Sequence, residues 1–356
     1  MLLLVACTAE PAPEAPWFPP DQPGPSLVGT REGTVDSRTG ISLDVQWWFP
    51  AAEVETEAYR YDEIWASPTA HEGRPSCSEQ HPVLVFSHGD TAMRWQSYFL
   101  TEYLASHGWV VAAPDHRYNT VFDNDEDLKE ELAARRPLDL ADTYDDLLAR
   151  NADPEDPLFG CIDPAAGYHV AGHSFGGYTA LAIGGAVIDV AASRAECDRN
   201  GGWLCDLVPY YEENYGADAV IDGSDPRVLS IAPMAPAGRA LLIGGLGAIQ
   251  VPTMILGGEL DGSVDWATEV QPIWQDAGSN AKTLGMLSGA GHLSFSNACT
   301  ILGSFPGCGE EEISDARAWE LVATATTIWL RMQEGEAKVE AMFPPEDAEW
   351  VWEQQP

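Results

Sequence analysis

Basic residues are scarce in this chain. Its 356 residues include 18 Lys+Arg against 56 Asp+Glu, which gives a formal net charge of −38 at pH 7. Nucleic-acid binding depends on Lys and Arg contacts to phosphates, so this composition excludes a nucleic-acid partner. The same charge disfavours anionic substrates and anionic lipid surfaces, and it supports solubility.

Long apolar runs are also missing. No stretch reaches about 18 apolar residues, which excludes a helix that spans a membrane. Disorder is excluded as well, because 45% of the residues are hydrophobic and 10% are aromatic, enough to bury a large core. At roughly 150 residues per domain the length allows one or two domains, and we expect one.

The first residues, MLLLVACTAE, contain no basic residue and are too short for a complete signal peptide. Leu4–Cys7 nevertheless resembles a bacterial lipobox, whose cysteine carries lipid; a chance apolar start is the alternative. We interpret residues 1–7 as a truncated lipoprotein signal and residues 8–28, rich in Pro, Glu and Ala, as a disordered tether. The predicted location is the bacterial cell envelope, at the outer membrane or cell surface through a lipid anchor only, or outside the cell.

Six cysteines remain when Cys7 is set aside, an even number that is typical of disulfides formed in an oxidising compartment. Short separations favour two pairs and leave two cysteines over; free buried thiols are the alternative. The pairs are Cys197 with Cys205 and Cys299 with Cys308, and the remaining two are Cys77 and Cys161. The sequence has no C-x-x-C and no histidine cluster near these cysteines, so we expect no metal site.

Strand and helix patterns alternate along most of the chain. The strand patterns are apolar or alternating runs, and the helix patterns follow a 3.6-residue period. The predicted strands are 41–49, 82–86, 109–113, 167–172, 228–232, 253–257 and 282–287, and the predicted helices are 94–107, 138–150, 176–187, 266–275 and 315–332. This order predicts an α/β fold, a mostly parallel central sheet with helices on both faces. Residues 51–80 and 193–226 are turn-rich and predict surface insertions.

The segment Gly172-His173-Ser174-Phe175-Gly176 fits G-x-S-x-G and lies between a predicted strand and a small-residue helix. The flanking glycines permit a sharp turn that presents the serine hydroxyl at the edge of the sheet. The N-terminus of the following helix then faces developing negative charge. Ser174 is therefore the predicted nucleophile.

A serine hydroxyl needs a base to activate it and a carboxylate to orient that base. In a fold with this motif the chain order is serine, acid, histidine. Asp261 and His292 each follow a predicted strand, which places both at the carboxyl edge of the sheet. We predict His292 as the base and Asp261 as the acid, with Glu259 and Asp265 as alternative carboxylates.

An oxyanion formed at this edge needs two backbone N–H donors. We predict Phe175, which follows the nucleophile, and Asp90, in the loop after strand 82–86. A carboxylate aimed at an oxyanion would oppose catalysis by Coulomb repulsion, so we expect the Asp90 side chain to point away, towards Arg94 or another donor. His88 adjoins a backbone turn, as does His173, and both are interpreted as structural.

These segments resemble the α/β-hydrolases, and among them the platelet-activating-factor acetylhydrolase-like and dienelactone-hydrolase-like esterases. The resemblance covers about residues 30–333 and rests on VLVFSHG, ASHGWVVAAPDHRYNT, RPLDLADTYDDLLAR, AGHSFGGYTAL, VPTMILGGELD and GAGHLSFS. Bacterial cutinase-like polyester hydrolases are more distantly similar. The resemblance to the α/β-hydrolases implies their fold. It also implies the roles given above: Ser174 as nucleophile, His292 as base and Asp261 as acid, with Phe175 and Asp90 as oxyanion donors. We place the catalytic domain at residues 29–333 and an acidic C-terminal tail at 334–356.

Two departures from the family concern Asp90, where an apolar residue is more common, and the cysteine-containing insertion at 193–226. In an α/β-hydrolase sheet the strands that begin near residues 82 and 167 are parallel neighbours. Cys77 and Cys161 precede them by similar offsets, so we expect a disulfide between the two at the amino edge of the sheet.

The predicted function is a serine carboxylic ester hydrolase that acts through an acyl-enzyme on small or lipid-like esters, without a metal or organic cofactor. The alternatives are a non-catalytic, surface-anchored binding protein on the same fold, a serine peptidase and a polyester hydrolase. Four aromatic residues of the 193–226 segment either roof an apolar acyl pocket or pack as a surface segment. They are Trp203, Tyr210, Tyr211 and Tyr215. The oligomeric state is left open.

Overall fold

A computed structural model of the chain describes residues 17–303, 305–309 and 311–354. Cys7, the predicted lipid-bearing residue, and the first part of the predicted tether lie outside the described residues. Within the described ranges, none of the helices combines the length and the apolar character that crossing a membrane requires.

Strands and helices follow one another in the order that the sequence patterns predict. The strands are β1 (Leu27–Asp36), β2 (Ser42–Tyr61), β3 (Trp65–Pro75), β4 (Val83–Ser87), β5 (Val110–Pro114), β6 (Tyr168–His173), β7 (Ile188–Asp189), β8 (Val220–Ile221), β9 (Val228–Met234), β10 (Thr253–Gly258), β11 (Lys282–Leu287) and β12 (Trp350–Gln354). The helices are α1 (Tyr98–Ser106), α2 (Lys129–Ala152), α3 (Phe175–Ile183), α4 (Val190–Asn200), α5 (Val208–Tyr215), α6 (Arg239–Leu242), α7 (Gln271–Asp276), α8 (Ala298–Leu302), α9 (Asp315–Gln333) and α10 (Ala337–Glu340).

The main sheet has the strand order β1-β3-β2-β5-β4-β6-β9-β10-β11-β12. From β5 to β11 all neighbouring strands in this order are parallel, and β2 and β12 flank that parallel block as antiparallel strands. The predicted fold class is therefore confirmed. Parallel strands place their carboxyl ends at one edge, and the loops after β4, β6, β10 and β11 meet there.

Each central strand separates two hydrophobic cores. In β4, Val83 and Val85 face one core, whereas Leu84 and Phe86 face the other. Helices α2 and α3 cover the first core, and α1 and α9 cover the second. Because successive side chains of a strand point to opposite faces, a strand covered on both sides is apolar along its whole length.

Two predicted segments have more regular structure than their composition indicates. Most of residues 51–80 belong to β2 and β3, which pair as a long antiparallel hairpin in the main sheet rather than forming a loop insertion. Helix α2 begins at Lys129 and contains Pro137, so the acidic residues before this proline are helical as well.

Within the described residues, the predicted tether at the N-terminal side and the predicted acidic C-terminal tail are both structured, which corrects the two predictions there. The indole Nε1 of Trp17 donates to Glu336 Oε1 at 2.8 Å, and Tyr103 Oη donates to the carbonyls of Pro20 and Gln22 at 2.7 Å. Residues 17–26 therefore dock on the domain before β1 begins. At the other end, β12 pairs with β11, so the C-terminal segment completes the sheet instead of forming an acidic tail.

Three cysteine pairs lie at disulfide distance. Cys77 and Cys161 have their Cα atoms 4.4 Å apart, next to a parallel bridge between His81 and Ile162 at the amino ends of β4 and β6. These two strands are parallel neighbours, as the expected position of this bridge requires. The other pairs, Cys197 with Cys205 and Cys299 with Cys308, each have a Cα separation of 5.5 Å.

Candidate active site

Ser174 lies in a strained turn between β6 and α3. Its φ of 58° and ψ of −115° fall outside the regions that L-residues ordinarily adopt. The two flanking glycines make this turn possible, because a β-carbon on Gly176 would lie 1.9 Å from the Ser87 carbonyl oxygen, and one on Gly172 would lie 2.3 Å from the Gly176 carbonyl oxygen. Side chains at either position would push the turn off the end of β4.

Asp261 and His292 form a direct pair at the ends of β10 and β11. His292 Nδ1 lies 2.7 Å from Asp261 Oδ2. The other carboxylate oxygen, Oδ1, accepts from the backbone N–H groups of Ser263 and Val264 at 2.9 and 2.7 Å. A carboxylate only accepts hydrogen bonds, so this contact holds the proton on Nδ1 and leaves the Nε2 lone pair available.

The two alternative carboxylates are engaged elsewhere. Glu259 Oε2 accepts from the N–H of Gly289 at 3.0 Å, and Asp265 Oδ1 accepts from the N–H of Thr268 at 2.8 Å. The first bond braces the loop before His292, and the second caps the helical turn that leads into α7. Of the three candidate acids, the structure brings Asp261 to the imidazole.

His173 connects the serine turn to the histidine loop. Its Nε2 lies 2.9 Å from the carbonyl oxygen of His292, and the two imidazole rings are 4.6 Å apart. Its Nδ1 contacts the side-chain amide of Gln96 at 3.1 Å. Burial lowers the pKa of His173 well below its ordinary value, so this ring stays neutral. The hydroxyl of Ser174 has no hydrogen-bond partner among the described residues.

The backbone N–H groups of Phe175 and Asp90, both close to Ser174 in the chain or through Gly89, have no hydrogen-bond partner within the described residues. The neighbouring Gly89 N–H is occupied, because it donates to Gln96 Oε1 at 2.8 Å. A β-carbon on Gly89 would lie 3.5 Å from Ser174 Cβ, which shows how closely this loop covers the serine. These free donors have the character that an oxyanion site needs.

The Asp90 side chain turns away from the serine but not towards Arg94. Arg94 Nη1 donates to Asp115 at 2.7 Å, and its Nη2 donates to Asp62 at 2.6 Å. The Asp90 carboxylate instead accepts from Asn119 Nδ2 at 2.9 Å and from Lys129 Nζ at 3.1 Å. Of the two expected possibilities, Arg94 or another donor, the second holds, because Asp115 directly after β5 and Asp62 in the β2–β3 turn already bind Arg94.

A buried polar cluster beneath the site was missed from the sequence. Ser87 Oγ lies 2.9 Å from His116 Nε2, and His116 Nδ1 lies 2.9 Å from Asp139 Oδ2. Arg136 donates to Ser87 Oγ at 3.2 Å and also to the carbonyl of His88. Burial lowers the pKa of Arg136 to about 9 and raises the pKa of Asp139 to about 7. The cluster fixes the loop that carries Asp90.

The four aromatic residues of the 193–226 segment do not share one role. Trp203 packs edge-on against Phe175 with the ring centroids 4.9 Å apart. Tyr211 is buried and donates to the Glu130 carbonyl on α2 at 2.8 Å, whereas Tyr215 is exposed. Trp203 therefore reaches the residue next to the nucleophile candidate, and the tyrosines belong to the packing of α5.

The geometry combines a serine on a sharp strand-to-helix turn, a histidine fixed by a buried carboxylate, and two free backbone donors. Such a set can activate a hydroxyl for attack on a carbonyl carbon and stabilise the resulting oxyanion. The fold is that of the α/β-hydrolases. No cluster of three or more His, Cys, Asp or Glu in the described ranges could hold a metal ion.

Comparisons with known proteins agree with this class. The family model of platelet-activating factor acetylhydrolase, isoform II, matches residues 53–146. A solved structure of a ferulic acid esterase from Streptomyces cinnamoneus superimposes with a TM-score of 0.62 at 20% sequence identity, covering 92% of this chain and 96% of that one. A search of curated proteins finds no match. The resemblance to platelet-activating-factor acetylhydrolase-like α/β-hydrolases predicted from the sequence is thus confirmed.

Proposed function

We propose that the protein is a serine carboxylic ester hydrolase that acts on small or lipid-like esters through an acyl-enzyme. The observation that supports this proposal is the strained turn at Ser174 together with the 2.7 Å contact between His292 Nδ1 and Asp261 Oδ2, since His173 links the turn to the His292 loop at 2.9 Å. The names of the matching family and of the structural neighbour, an acetylhydrolase and an esterase, support it.

In the proposed reaction His292 Nε2 takes the proton of Ser174 as the hydroxyl oxygen attacks the ester carbonyl. The N–H groups of Phe175 and Asp90 stabilise the oxyanion of the tetrahedral intermediate. The protonated His292, stabilised by Asp261, then gives its proton to the leaving alcohol. Water, activated by the same imidazole, attacks the acyl-enzyme, and the carboxylic acid leaves as Ser174 is regenerated.

The test measures hydrolysis of p-nitrophenyl acetate, butyrate and octanoate and of methyl ferulate. We expect Ser174→Ala and His292→Ala each to lower kcat by at least about 10³-fold, because the residues act as one unit. Circular dichroism should show both variants folded. Wild-type protein that hydrolyses none of these esters, or a Ser174→Ala variant that keeps the wild-type rate, would contradict the proposal.

A further inference from the structure

We infer that Lys129 is a positioning residue for the oxyanion site: its ammonium holds and neutralises the carboxylate of Asp90, the residue proposed to donate its backbone N–H to the oxyanion. This inference rests on the proposed ester hydrolysis. It assigns a role to a residue at the start of α2, 39 positions away from Asp90 in the sequence.

The Asp90 carboxylate is held from two sides. Oδ2 accepts from Lys129 Nζ at 3.1 Å, and Oδ1 accepts from Asn119 Nδ2 at 2.9 Å. Asn119 is in turn fixed by the buried Arg136, whose Nη1 donates to Asn119 Oδ1 at 2.5 Å. The side chain of Lys129 is 16% exposed and that of Asp90 is 27% exposed, so bulk water screens this pair only in part.

Lys129 stands where the helix itself favours an acidic residue. It is the first residue of α2, and the N-terminus of a helix carries partial positive charge that repels a cation. Burial is the largest single influence on Lys129 and lowers its pKa, but the charges and hydrogen bonds of Asp90 and Glu126 together raise this pKa above its ordinary value, so the ammonium is charged. The contact that offsets this unfavourable position is the ion pair with Asp90 at 3.1 Å.

The charge matters because of where Asp90 lies. Its backbone N–H is a proposed oxyanion donor, so its own carboxylate belongs to the residue that would contact the developing negative charge. Glu126 Oε2, 3.4 Å from Lys129 Nζ, adds a further negative charge to this region. If Lys129 were neutral, these carboxylates would raise the energy of the oxyanion while leaving the uncharged ester almost unaffected.

Steady-state kinetics on p-nitrophenyl butyrate test this inference with Lys129→Met, Asp90→Asn and the double variant. We expect Lys129→Met to lower kcat about tenfold with little change in KM, because the lost interaction exists only in the transition state. Asp90→Asn removes the opposing charge and keeps the backbone N–H, so it should raise kcat about two- to fivefold in the wild-type background. In the Lys129→Met background it should recover most of the lost rate.

A trifluoromethyl ketone inhibitor gives a second readout, since its adduct with serine carries an oxyanion. Its Ki should rise by about the same factor as kcat/KM falls in Lys129→Met. Lys338→Met is the matched control, because it makes the same change in net charge on the exposed helix α10 and should leave both constants unchanged.

Two outcomes would overturn the inference while the wild type remains active on esters. One is a Lys129→Met variant with the wild-type kcat. The other is a double variant as slow as Lys129→Met, which would mean that Lys129 acts through its packing over Trp203, 5.7 Å from the ring centroid, rather than through Asp90. An inactive wild type would instead contradict the proposed function.

Discussion

Two Ser-His-Asp arrangements lie in the same half of this molecule and differ in access. In one, His292 Nδ1 contacts Asp261 at 2.7 Å, and Ser174, partly open to solvent, follows His173, whose ring lies 4.6 Å from that of His292. In the other, Ser87, His116 and Asp139 form a continuous chain of 2.9 Å hydrogen bonds with no exposed surface. The better-connected arrangement is the one that no substrate can reach.

The two arrangements also differ in whether the serine hydroxyl already has a hydrogen-bond partner. The Ser87 hydroxyl is bonded to both His116 and Arg136, whereas the hydroxyl of Ser174 has no partner among the described residues. Burial also lowers the pKa of His116 well below its ordinary value, so this imidazole cannot easily accept a proton. A set of three residue types does not define a reactive site; strain, exposure and an unoccupied nucleophile do.

The sharpest test compares the two acids. Asp261→Asn should lower kcat on p-nitrophenyl esters by about 10³- to 10⁴-fold, because the amide fixes the wrong imidazole tautomer. Asp139→Asn should keep kcat within about fivefold and lower the melting temperature, since it weakens a buried network. Glu259→Gln is the matched control at the edge of the site. Equal losses of kcat in Asp261→Asn and Asp139→Asn would remove the distinction drawn between the two arrangements.

A second test compares the two serines by stability. Ser87→Ala leaves buried nitrogen groups of His116 and Arg136 short of a partner, at an expected cost of about 1–3 kcal/mol in the free energy of unfolding. Ser174→Ala removes an unbonded hydroxyl and should change that free energy by less than about 0.5 kcal/mol. Urea unfolding measures both. A Ser174→Ala variant less stable than Ser87→Ala would mean that the elbow hydroxyl has a structural partner.

The smallest expected effect is on the pH dependence of stability. The folded protein keeps His116 neutral, whereas the unfolded chain protonates it below about pH 6.5. The contribution of neutral His116 to the free energy of unfolding is therefore present above that pH. It is lost as the pH falls below it, by up to about 1.4 kcal/mol per pH unit. Between pH 6.5 and 5.5 the wild type should lose about 1 kcal/mol more stability than His116→Gln in urea titrations, because the unfolded histidine is only half protonated at pH 6.5. If the free energies of unfolding of the wild type and His116→Gln changed with pH in parallel, His116 would already be protonated in the folded state.

The sequence was sufficient for the parts of the fold that depend on local patterns. The apolar runs of β4 and β6 and the glycines around Ser174 identify strands and the turn. Chain order points to His292 and leaves three carboxylates, Glu259, Asp261 and Asp265, of which the structure brings Asp261 to the imidazole. The docking of residues 17–26, the edge strand β12 and the Ser87 cluster depend on contacts between residues far apart in the chain. The local composition of these segments predicts tails and loops, because it carries no information about the distant residues against which they pack.

The docked N-terminal segment determines how the protein can be attached to something else. Trp17 and Phe18 lie near Pro82 and Trp109, which stand at the amino ends of β4 and β5, opposite the edge that carries Ser174. A bead, fusion partner or surface coupled directly at residue 17 would therefore be held at the far end of the sheet. Immobilisation through that end leaves the edge that carries Ser174 directed outwards, so residue 17 is the end to choose when the proposed activity is measured on a surface.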